Sequence, residues 1–282
     1  MSGHLVFTDL DGSLLDHHSY QFDEARPMLR RLDELAVPVI PTSSKTRVEI
    51  EALRRLMDNV HPFIVENGAA IYIPKGYFDE PPSDTVDAGA YRVKTFSPGR
   101  DHWLSLLAEL ESEFSGEFQS FAQLGSSGIA VLTGLSPEDA EDANTRDFSE
   151  PIHWQGSEHR REEFVAALVA RDANPLQGGR FLTLSGDCDK GRALCWLRQV
   201  YAGRPGKAVG QRGMRDLAIG DSGNDVAMLE AAQTALVVRS PVHDYPKLNT
   251  TGDVIYSTEY GPAGWAQGVS QWLQATGLDA SS

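Results

Sequence analysis

Short apolar runs of β type alternate with helical stripes along this chain, and that alternation restricts the fold more than any other feature. Residues 4–8 form one apolar run, the apolar positions within 28–36 recur at helical spacing, and residues 37–41 form a second run. A helical stripe at 50–57 and two further runs between 63 and 73 follow. This order predicts βαβ units, and therefore an α/β protein with a doubly wound parallel sheet.

The middle of the chain departs from this pattern and predicts an inserted domain. After the last of those runs the composition shifts to Pro, Gly, Asp and Ser, and the chain then mixes helices with short strands. The alternation resumes with elements predicted at 180–184 (strand), 190–201 (helix), 217–220 (strand), 224–232 (helix) and 235–239 (last core strand). We therefore expect a core of residues 1–85 and 180–282, and an α+β cap of residues 86–179 that covers the ligand end of the sheet as a lid.

Composition excludes several classes of partner. The formal net charge is −15, from 40 acidic and 25 basic residues, so nucleic acid and anionic membranes are not expected to bind. An anionic substrate would need a local group of cations or a metal ion. The apolar runs are too short to cross a bilayer, no leader pattern is visible, and the two cysteines are interpreted as reduced and structural. We expect a cytoplasmic protein, either a monomer or a homodimer.

Two acidic motifs follow predicted core strands. Asp9 and Asp11 end the run at 4–8, and Asp221, Asn224 and Asp225 follow the run at 217–220. Because open α/β sheets bind ligands at the carboxyl ends of their strands, both motifs predict a site for a hard cation such as Mg²⁺. Taken singly, the first motif is equally a turn at Asp11-Gly12, and the second is equally a helix N-cap.

Two further motifs predict an anion site at the same end of the sheet. Hydroxyl groups at Ser43 and Ser44 precede Lys45 at a helix start, where backbone N–H groups favour anions. Lys190 is the first residue of another predicted helix. A positive charge there opposes the helix dipole, so the lysine at this position indicates another role, such as binding a phosphate. Alone, these motifs are also compatible with a Ser/Thr cap and a solvated lysine.

Together, the four motifs resemble the signature of haloacid-dehalogenase-superfamily phosphatases: DxDG, a Ser or Thr after the second core strand, a Lys, and GDxxND. All four are present in the family's order, with Ser13 at a position where Thr is more usual. The resemblance implies a Rossmann-like core with a C2-type cap. Other segments are similar to the mannosyl-3-phosphoglycerate phosphatase family: residues 38–47, 66–69, 133–136, 146–151, 178–181 and 261–265.

The superfamily resemblance implies a role for each residue of the four motifs. Asp9 is the expected nucleophile, Asp11 the expected acid and base, and Ser43 and Lys190 the expected phosphate ligands. Mg²⁺ is expected on Asp9, the backbone carbonyl of Asp11 and Asp221, with Asp225 assisting through water. A small phosphorylated sugar or glycerate is the implied substrate, with mannosylglycerate, a compatible solute, as the product.

Other residues are candidates for binding the remainder of that substrate. Guanidinium groups pair with carboxylates, which favours Arg146 and Arg180 as ligands of the glycerate carboxylate. The remaining candidates, by motif, are Ser44, Lys45, Asn67, Gly68, Glu150 and Asn224. A surface ion pair or a turn is the alternative for each of the charged and turn-forming candidates, and core packing is the favoured interpretation of Trp154 and Trp265.

Different functions stay open at this level. The motifs do not separate mannosyl-3-phosphoglycerate from glucosyl-3-phosphoglycerate or another sugar phosphate. A phosphomutase would use the same residues to transfer phosphate instead of releasing it. A non-catalytic binding protein is disfavoured because the candidate catalytic set is complete.

Overall fold

The computed structural model of this protein describes residues 3–178, 180–203 and 214–279. Its strands are β1 (His4–Thr8), β2 (Val39–Pro41), β3 (Phe63–Val65), β4 (Ala70–Pro74), β5 (Val86–Ala88), β6 (Tyr91–Thr95), β7 (Phe118–Ser120), β8 (Glu150–Trp154), β9 (Asn174–Gly178), β10 (Phe181–Ser185), β11 (Arg215–Gly220), β12 (Thr234–Arg239) and β13 (Asp253–Tyr260). Its α-helices are α1 (Arg26–Glu34), α2 (Arg47–Leu56), α3 (Arg100–Leu110), α4 (Phe121–Thr133), α5 (Pro137–Asn144), α6 (Glu158–Val169), α7 (Lys190–Ala202), α8 (Val226–Ala231) and α9 (Gly261–Thr276).

The central sheet is parallel and has the strand order β13–β12–β11–β1–β2. Its two faces are both buried, because successive side chains of a strand point to opposite sides. Val6 packs into one apolar cluster together with Trp265 of α9, whereas Leu5 and Phe7 pack into another with Leu194 of α7. The doubly wound α/β prediction is therefore confirmed.

A small antiparallel sheet of order β3–β4–β6–β5 extends the core beyond β2. Thr42 forms a bridge with Ile64, which joins the end of β2 to β3. The predicted core boundary at residues 85 and 86 falls before β5 and β6, although β6 pairs with β4 over five residues. The Pro- and Gly-rich segment leads into a hairpin of β5 and β6 that pairs with β4.

The cap is built on a second antiparallel sheet of order β7–β8–β10–β9, with a separate apolar cluster that includes Trp103, Phe114 and Phe164. The strand predicted at 180–184 for the parallel core is β10, and this assignment was wrong. β10 pairs with β8 and β9 instead, so the cap sheet continues to Ser185. An apolar run indicates a buried strand, but it does not identify the strand's neighbours. Gly179, at the predicted boundary, lies outside the described residues.

The C-terminal part of the core contains two elements that the sequence analysis did not predict. β12 is not the last core strand, because β13 pairs with it in parallel and α9 packs against both. In the cap domain, α4 was also missed. α5 begins at the N-cap residue Ser136, whose hydroxyl accepts from the N–H of Asp139. Within the described ranges, no helix has the length and apolar character needed to span a membrane.

Candidate active site

Three buried carboxylates meet at the carboxyl ends of β1 and β11. The parallel register aligns Thr8 with Ile219, so the residues that follow these strands are neighbours. One oxygen atom from each of Asp9, Asp221 and Asp225 lies within 4.8 Å of the others. The sequence prediction that the two acidic motifs share one pocket therefore agrees with their positions in the structure.

Lys190 is the cation of this cluster. Its ammonium group is fully buried and donates to the Oδ1 atoms of Asp9 and Asp225, each at 2.7 Å. Burial alone would lower the pKa of Lys190, but the charges of Asp225 and Asp9 outweigh it and raise the pKa. Lys190 is therefore charged, which explains why a lysine opens α7 against the helix dipole.

One ammonium group does not balance three carboxylates. Burial, followed by the charge of Asp225, raises the pKa of Asp9 well above its usual range and that of Asp221 to about 6. A bound cation would remove this deficit of positive charge. The oxygen-only donor set suits a hard divalent cation such as Mg²⁺, so the residues present fit that ion.

Gly12 keeps space open beside this cluster. A Cβ atom at this position would lie 2.6 Å from Oδ2 of Asp221, and the φ angle of +79° also favours glycine. The glycine of the DxDG motif therefore has a steric role next to the candidate cation site.

Asp225 differs from the other two carboxylates because its oxygens are already occupied. Oδ2 accepts from the backbone N–H groups of Asp221 and Ser222 at 3.0 and 3.1 Å, while Oδ1 accepts from Lys190. Asp225 is thus suited to holding the loop and Lys190 in place. Asp9 and Asp221 retain oxygens that are available to a cation or a substrate.

Asp11 lies at the edge of the cluster and faces the cavity described below. Its Oδ2 atom is 3.1 Å from Nζ of Lys45, while its Oδ1 atom is buried and has no hydrogen-bond partner among the described residues. Burial would lower the pKa of Lys45, but Asp11 and Glu49 together raise it. An unpaired buried carboxylate oxygen is costly unless a ligand or a proton satisfies it.

The Ser43–Lys45 loop forms the next wall. The hydroxyl of Ser43 is buried and accepts from the N–H of Lys45 at 3.2 Å. Thr46 then caps α2 in a capping box with Glu49, which fixes the helix start. The loop thus presents polar groups at a helix N-terminus, as the sequence predicted.

A cavity of about 520 Å³ separates this cluster from the cap. Arg146 and Arg180 both line it, from the cap side. Arg146 donates to the carbonyl of Ser44 at 2.9 Å and to Oγ of Ser149, and Arg180 donates to the carbonyl of Leu132 at 2.6 Å. Of the predicted site residues, those that line the cavity are Asp9, Asp11, Ser44, Lys45, Asn67, Arg146, Arg180 and Asn224.

Two predicted substrate ligands occupy other positions. Glu150 is fully buried within the cap, where it pairs with Arg100 at 2.5 Å and accepts from the N–H of Ala122, so its assignment to substrate is corrected. Gly68 does not line the cavity; it packs against the backbone of Asp189 with a φ angle of +93°. Trp265 is buried and donates to Oγ1 of Thr8, in keeping with the core interpretation.

Several site residues were missed by the sequence analysis. Nε2 of His243 lies 3.3 Å from Oδ2 of Asp221. His243 lowers the pKa of Asp221, but burial and then the charge of Asp225 raise that pKa by more. His243 follows β12, whose carboxyl end lies at the same edge of the sheet. Its place after a predicted core strand was the sequence signal that could have identified it as a site residue. Tyr20 lines the cavity and contacts Lys45 through its ring. Glu66 contacts the cap through three hydrogen bonds that no local pattern indicates.

A parallel sheet that ends in an aspartate and lysine cluster beneath an antiparallel cap is the architecture of the haloacid dehalogenase-like fold. Solved structures support the fold. A superfamily phosphatase from Bacteroides thetaiotaomicron aligns over 98% of this chain and 97% of its own, with a TM-score of 0.64 and 14% identity. A haloacid dehalogenase-like hydrolase from B. subtilis covers 96% and 98%, with a TM-score of 0.61 and 17% identity.

Curated relatives narrow the class. A glucosyl-3-phosphoglycerate/mannosyl-3-phosphoglycerate phosphatase of Methanococcoides burtonii is 33% identical over 262 residues, covering 93% of this chain and 94% of the relative. A protein of the same name from Persephonella marina is 30% identical over 270 residues, covering 94% and 95%. No family model matches the chain. The chain belongs to this family of glucosyl- and mannosyl-3-phosphoglycerate phosphatases, and it is a phosphatase.

Proposed function

We propose that this protein is a Mg²⁺-dependent phosphomonoester hydrolase that converts mannosyl-3-phosphoglycerate to mannosylglycerate through an aspartyl-phosphate. The observation that supports this proposal is the buried cluster of Asp9, Asp221, Asp225 and Lys190, of which Asp9 lines a cavity whose cap side presents Arg146 and Arg180. Glucosyl-3-phosphoglycerate is the alternative substrate, because the names of the relatives include both.

Asp9 is the proposed nucleophile. Lys190 holds its Oδ1 atom at 2.7 Å, which leaves Oδ2 to attack phosphorus. The new bond joins Oδ2 to phosphorus, and the bond from phosphorus to the glycerate oxygen breaks. Water then attacks phosphorus, releases inorganic phosphate and regenerates the Asp9 carboxylate, so one difficult displacement becomes two easier ones.

Asp11 is the proposed acid and base. Its side chain lines the cavity, where the leaving oxygen of the substrate would lie. It would give a proton to that oxygen in the first step and take one from the attacking water in the second. Ser43 and Lys190 would donate to the non-bridging phosphate oxygens, where negative charge is held through both steps.

Mg²⁺ would be held by Asp9, Asp221 and the backbone carbonyl of Asp11, with Asp225 assisting through water. Bound there, it would neutralise charge between the carboxylate and the phosphate. The raised pKa of Asp9, due to burial and then to Asp225, supports a cation at this place.

The upper cavity suits a substrate with a second anion and a polyol. Arg146 and Arg180 are candidates for the glycerate carboxylate, while Lys45, Asn67 and Asn224 offer hydrogen bonds to glycerate or sugar hydroxyls. Ser44 and Gly68 would act through the backbone of the loops that carry these side chains.

The cap that closes this cavity is proposed to comprise residues 97–185, between core segments 3–96 and 186–279. This division follows the sheet pairings of β6 and β10. Both cysteines, Cys188 and Cys195, are free thiols, which is compatible with the proposed cytoplasmic location.

The test is phosphate release by the purified protein with Mg²⁺. The panel contains mannosyl- and glucosyl-3-phosphoglycerate, 3-phosphoglycerate, mannose 6-phosphate and sucrose 6-phosphate. We expect a clear preference for one glycosyl-3-phosphoglycerate, and a loss of about 10³-fold or more in Asp9→Asn. The matched surface variant Asp23→Asn removes only an exposed ion pair with Arg26 and should retain activity.

Two results would contradict the proposal. Activity on no member of the panel would remove the substrate assignment. A requirement for a bisphosphate activator, with transfer of phosphate and no release, would indicate a phosphomutase instead.

A further inference from the structure

Glu66 is a fully buried carboxylate that the proposed reaction does not use. It lies in the turn between β3 and β4, in the core, yet its side chain is hydrogen-bonded to the cap. Oε1 accepts from the N–H of Asp147 at 2.9 Å, and Oε2 accepts from the N–H of Phe148 at 3.2 Å and from the hydroxyl of Ser149 at 2.5 Å. We call residues 146–149 the docking segment.

The backbone around Glu66 is held in an unusual conformation. Glu66 and Asn67 have φ angles of +49° and +58°, in the left-handed region that non-glycine residues rarely adopt. Their N–H groups donate to the carbonyls of Lys45 and Ser43 at 3.0 and 2.9 Å. Such conformations cost free energy and persist where the surroundings hold them in place, often at functional sites.

The turn therefore connects the catalytic loops to the cap. On the core side it binds the Ser43–Lys45 loop, and the amide of Asn224 donates to Oδ1 of Asn67 at 3.1 Å. On the cap side Glu66 holds the docking segment, which begins with the cavity-lining Arg146. Arg146 in turn donates to Ser44 and Ser149, and its Nε atom is 3.5 Å from Oε2 of Glu66.

We propose that Glu66 is a positioning residue that fixes the docking segment of the cap, and with it the guanidinium of Arg146, over the phosphate site. The inference rests on the proposed function, because it assumes that Arg146 contacts the non-phosphate part of the substrate. It predicts a specific defect without Glu66: weaker binding of the whole substrate, with the chemistry at Asp9 retained.

Glu66→Gln is the appropriate change because it preserves the shape of the side chain. A glutamine offers one acceptor oxygen to three donors and places its own NH₂ group against an N–H or the Ser149 hydroxyl. It also removes the negative charge beside Arg146. We expect KM for the preferred glycosyl-3-phosphoglycerate to rise about tenfold or more, with kcat within about threefold of the wild-type value.

A small phosphate ester separates positioning from general damage. p-Nitrophenyl phosphate has no carboxylate or sugar for the cap to bind, so its kcat/KM in Glu66→Gln should stay within about threefold of wild type. Glu150→Gln is the matched control. Glu150 is also a fully buried carboxylate that accepts from an arginine and a backbone N–H, but both partners lie within the cap. Its change should leave both KM values near those of wild type, even if the unfolding temperature falls equally.

A double-mutant cycle tests the route through Arg146. If Glu66 acts by placing that guanidinium, the effect of Glu66→Gln on KM should nearly disappear in an Arg146→Lys background. Additive effects of the two changes would show that Glu66 does not act on KM through Arg146. A Glu66→Gln variant with equal losses on both substrates, or with unchanged KM for the glycosyl substrate, would overturn the proposal itself.

Amide hydrogen exchange supplies a readout that needs no substrate. The N–H groups of Asp147 and Phe148 should exchange faster in Glu66→Gln and remain protected in Glu150→Gln. If no member of the substrate panel is hydrolysed, the proposed function fails while this comparison still decides whether Glu66 holds the docking segment.

If Glu66→Gln folds too poorly to assay, Ser149→Ala removes one of the three donors and should shift KM in the same direction. An unchanged KM in folded Ser149→Ala, with unchanged exchange at Asp147, would then count against the proposal.

Discussion

At the scale of single residues, the sequence analysis predicted the site residues whose position follows from strand order. Asp9 and Asp221 come directly after paired parallel strands, so their proximity follows from the fold. Glu150 was assigned wrongly because a motif does not reveal which way a side chain points. It begins β8, and its carboxylate turns into the cap to meet Arg100. Glu66 was missed for a related reason, since its partners are more than 80 positions away in the chain.

The pKa of Asp221 leads to a prediction about metal binding. Burial, followed by Asp225, raises this pKa to about 6, so a proton competes with a cation below that pH. The stabilisation by Mg²⁺ should therefore be present at pH 8 and should be smaller at pH 5. Thermal unfolding with and without about 5 mM MgCl₂, at pH 8 and pH 5, measures this difference; a site at about 100 times its Kd would gain about 2.7 kcal/mol.

The control for this experiment is Asp221→Asn, in which the Mg²⁺-dependent shift should be lost at both pH values. Asp16→Asn, which changes a partly exposed aspartate of the neighbouring loop, should retain the wild-type shift. An equal shift in wild type and Asp221→Asn would place the cation elsewhere and contradict the proposed site.

At the scale of elements, local patterns identified strands more reliably than their partners. β3 and β4 were predicted from apolar runs, α1 and α2 from apolar spacing, and α7 from the resumed alternation of strands and helices. β10 was predicted as a strand and yet assigned to the wrong sheet, because its partners β8 and β9 are defined by tertiary pairing alone. β13 lies next to β12 in space after a long connection, so no local signal related the two.

The turn between β3 and β4 also gives a prediction, for Gly68→Ala. A Cβ atom at Gly68 would lie 2.1 Å from the carbonyl oxygen of Asp189, a backbone atom at the start of α7 that cannot move alone. The change should lower the free energy of unfolding by more than about 3 kcal/mol, since backbone strain and a steric clash act together. It should also reduce activity, because Lys190 follows Asp189.

Gly116→Ala is the matched control. Gly116 also has a positive φ angle, +73°, but a Cβ atom added there would meet no atom of the described residues within 4 Å. The change should cost only the conformational strain of about 1–2 kcal/mol and leave activity unchanged. Urea unfolding of both variants measures the difference. Equal losses in the two would show that close packing against Asp189 is not what requires glycine at position 68.

At the scale of the whole molecule, the acidic net charge disfavours the approach of an anionic substrate. The net charge of −15 repels phosphate esters at long range, while the cavity concentrates cations in Lys45, Arg146 and Arg180. Composition predicted this need for local cations, but it did not predict that the cap would supply both arginines. That arrangement depends on how the cap sheet is placed over the core, which the sequence does not encode in any short segment.

The same charge imbalance predicts how salt affects stability. Excess negative charge destabilises the compact state by self-repulsion, and salt screens it over a Debye length that falls from about 10 Å at 0.1 M to about 3 Å at 1 M. Salt also weakens exposed ion pairs such as Arg26 with Asp23, but such pairs contribute only about 0–1 kcal/mol each. With 15 unbalanced acidic charges, screening of repulsion should prevail. The unfolding temperature, measured in EDTA, should rise by about 2–5 °C between about 20 and 300 mM NaCl.

Two features distinguish this electrostatic effect from a general action of solutes on burial. The rise should level off above about 0.5 M NaCl, because screening is then nearly complete, whereas stabilisation by solute exclusion continues to grow with concentration. It should also shrink at about pH 5.5, because that pH is close to the sequence pI of about 4.9 and the net negative charge is smaller there. An unfolding temperature that falls with NaCl at neutral pH would mean that the surface ion pairs outweigh the net repulsion, and the acidic surface would then need another explanation.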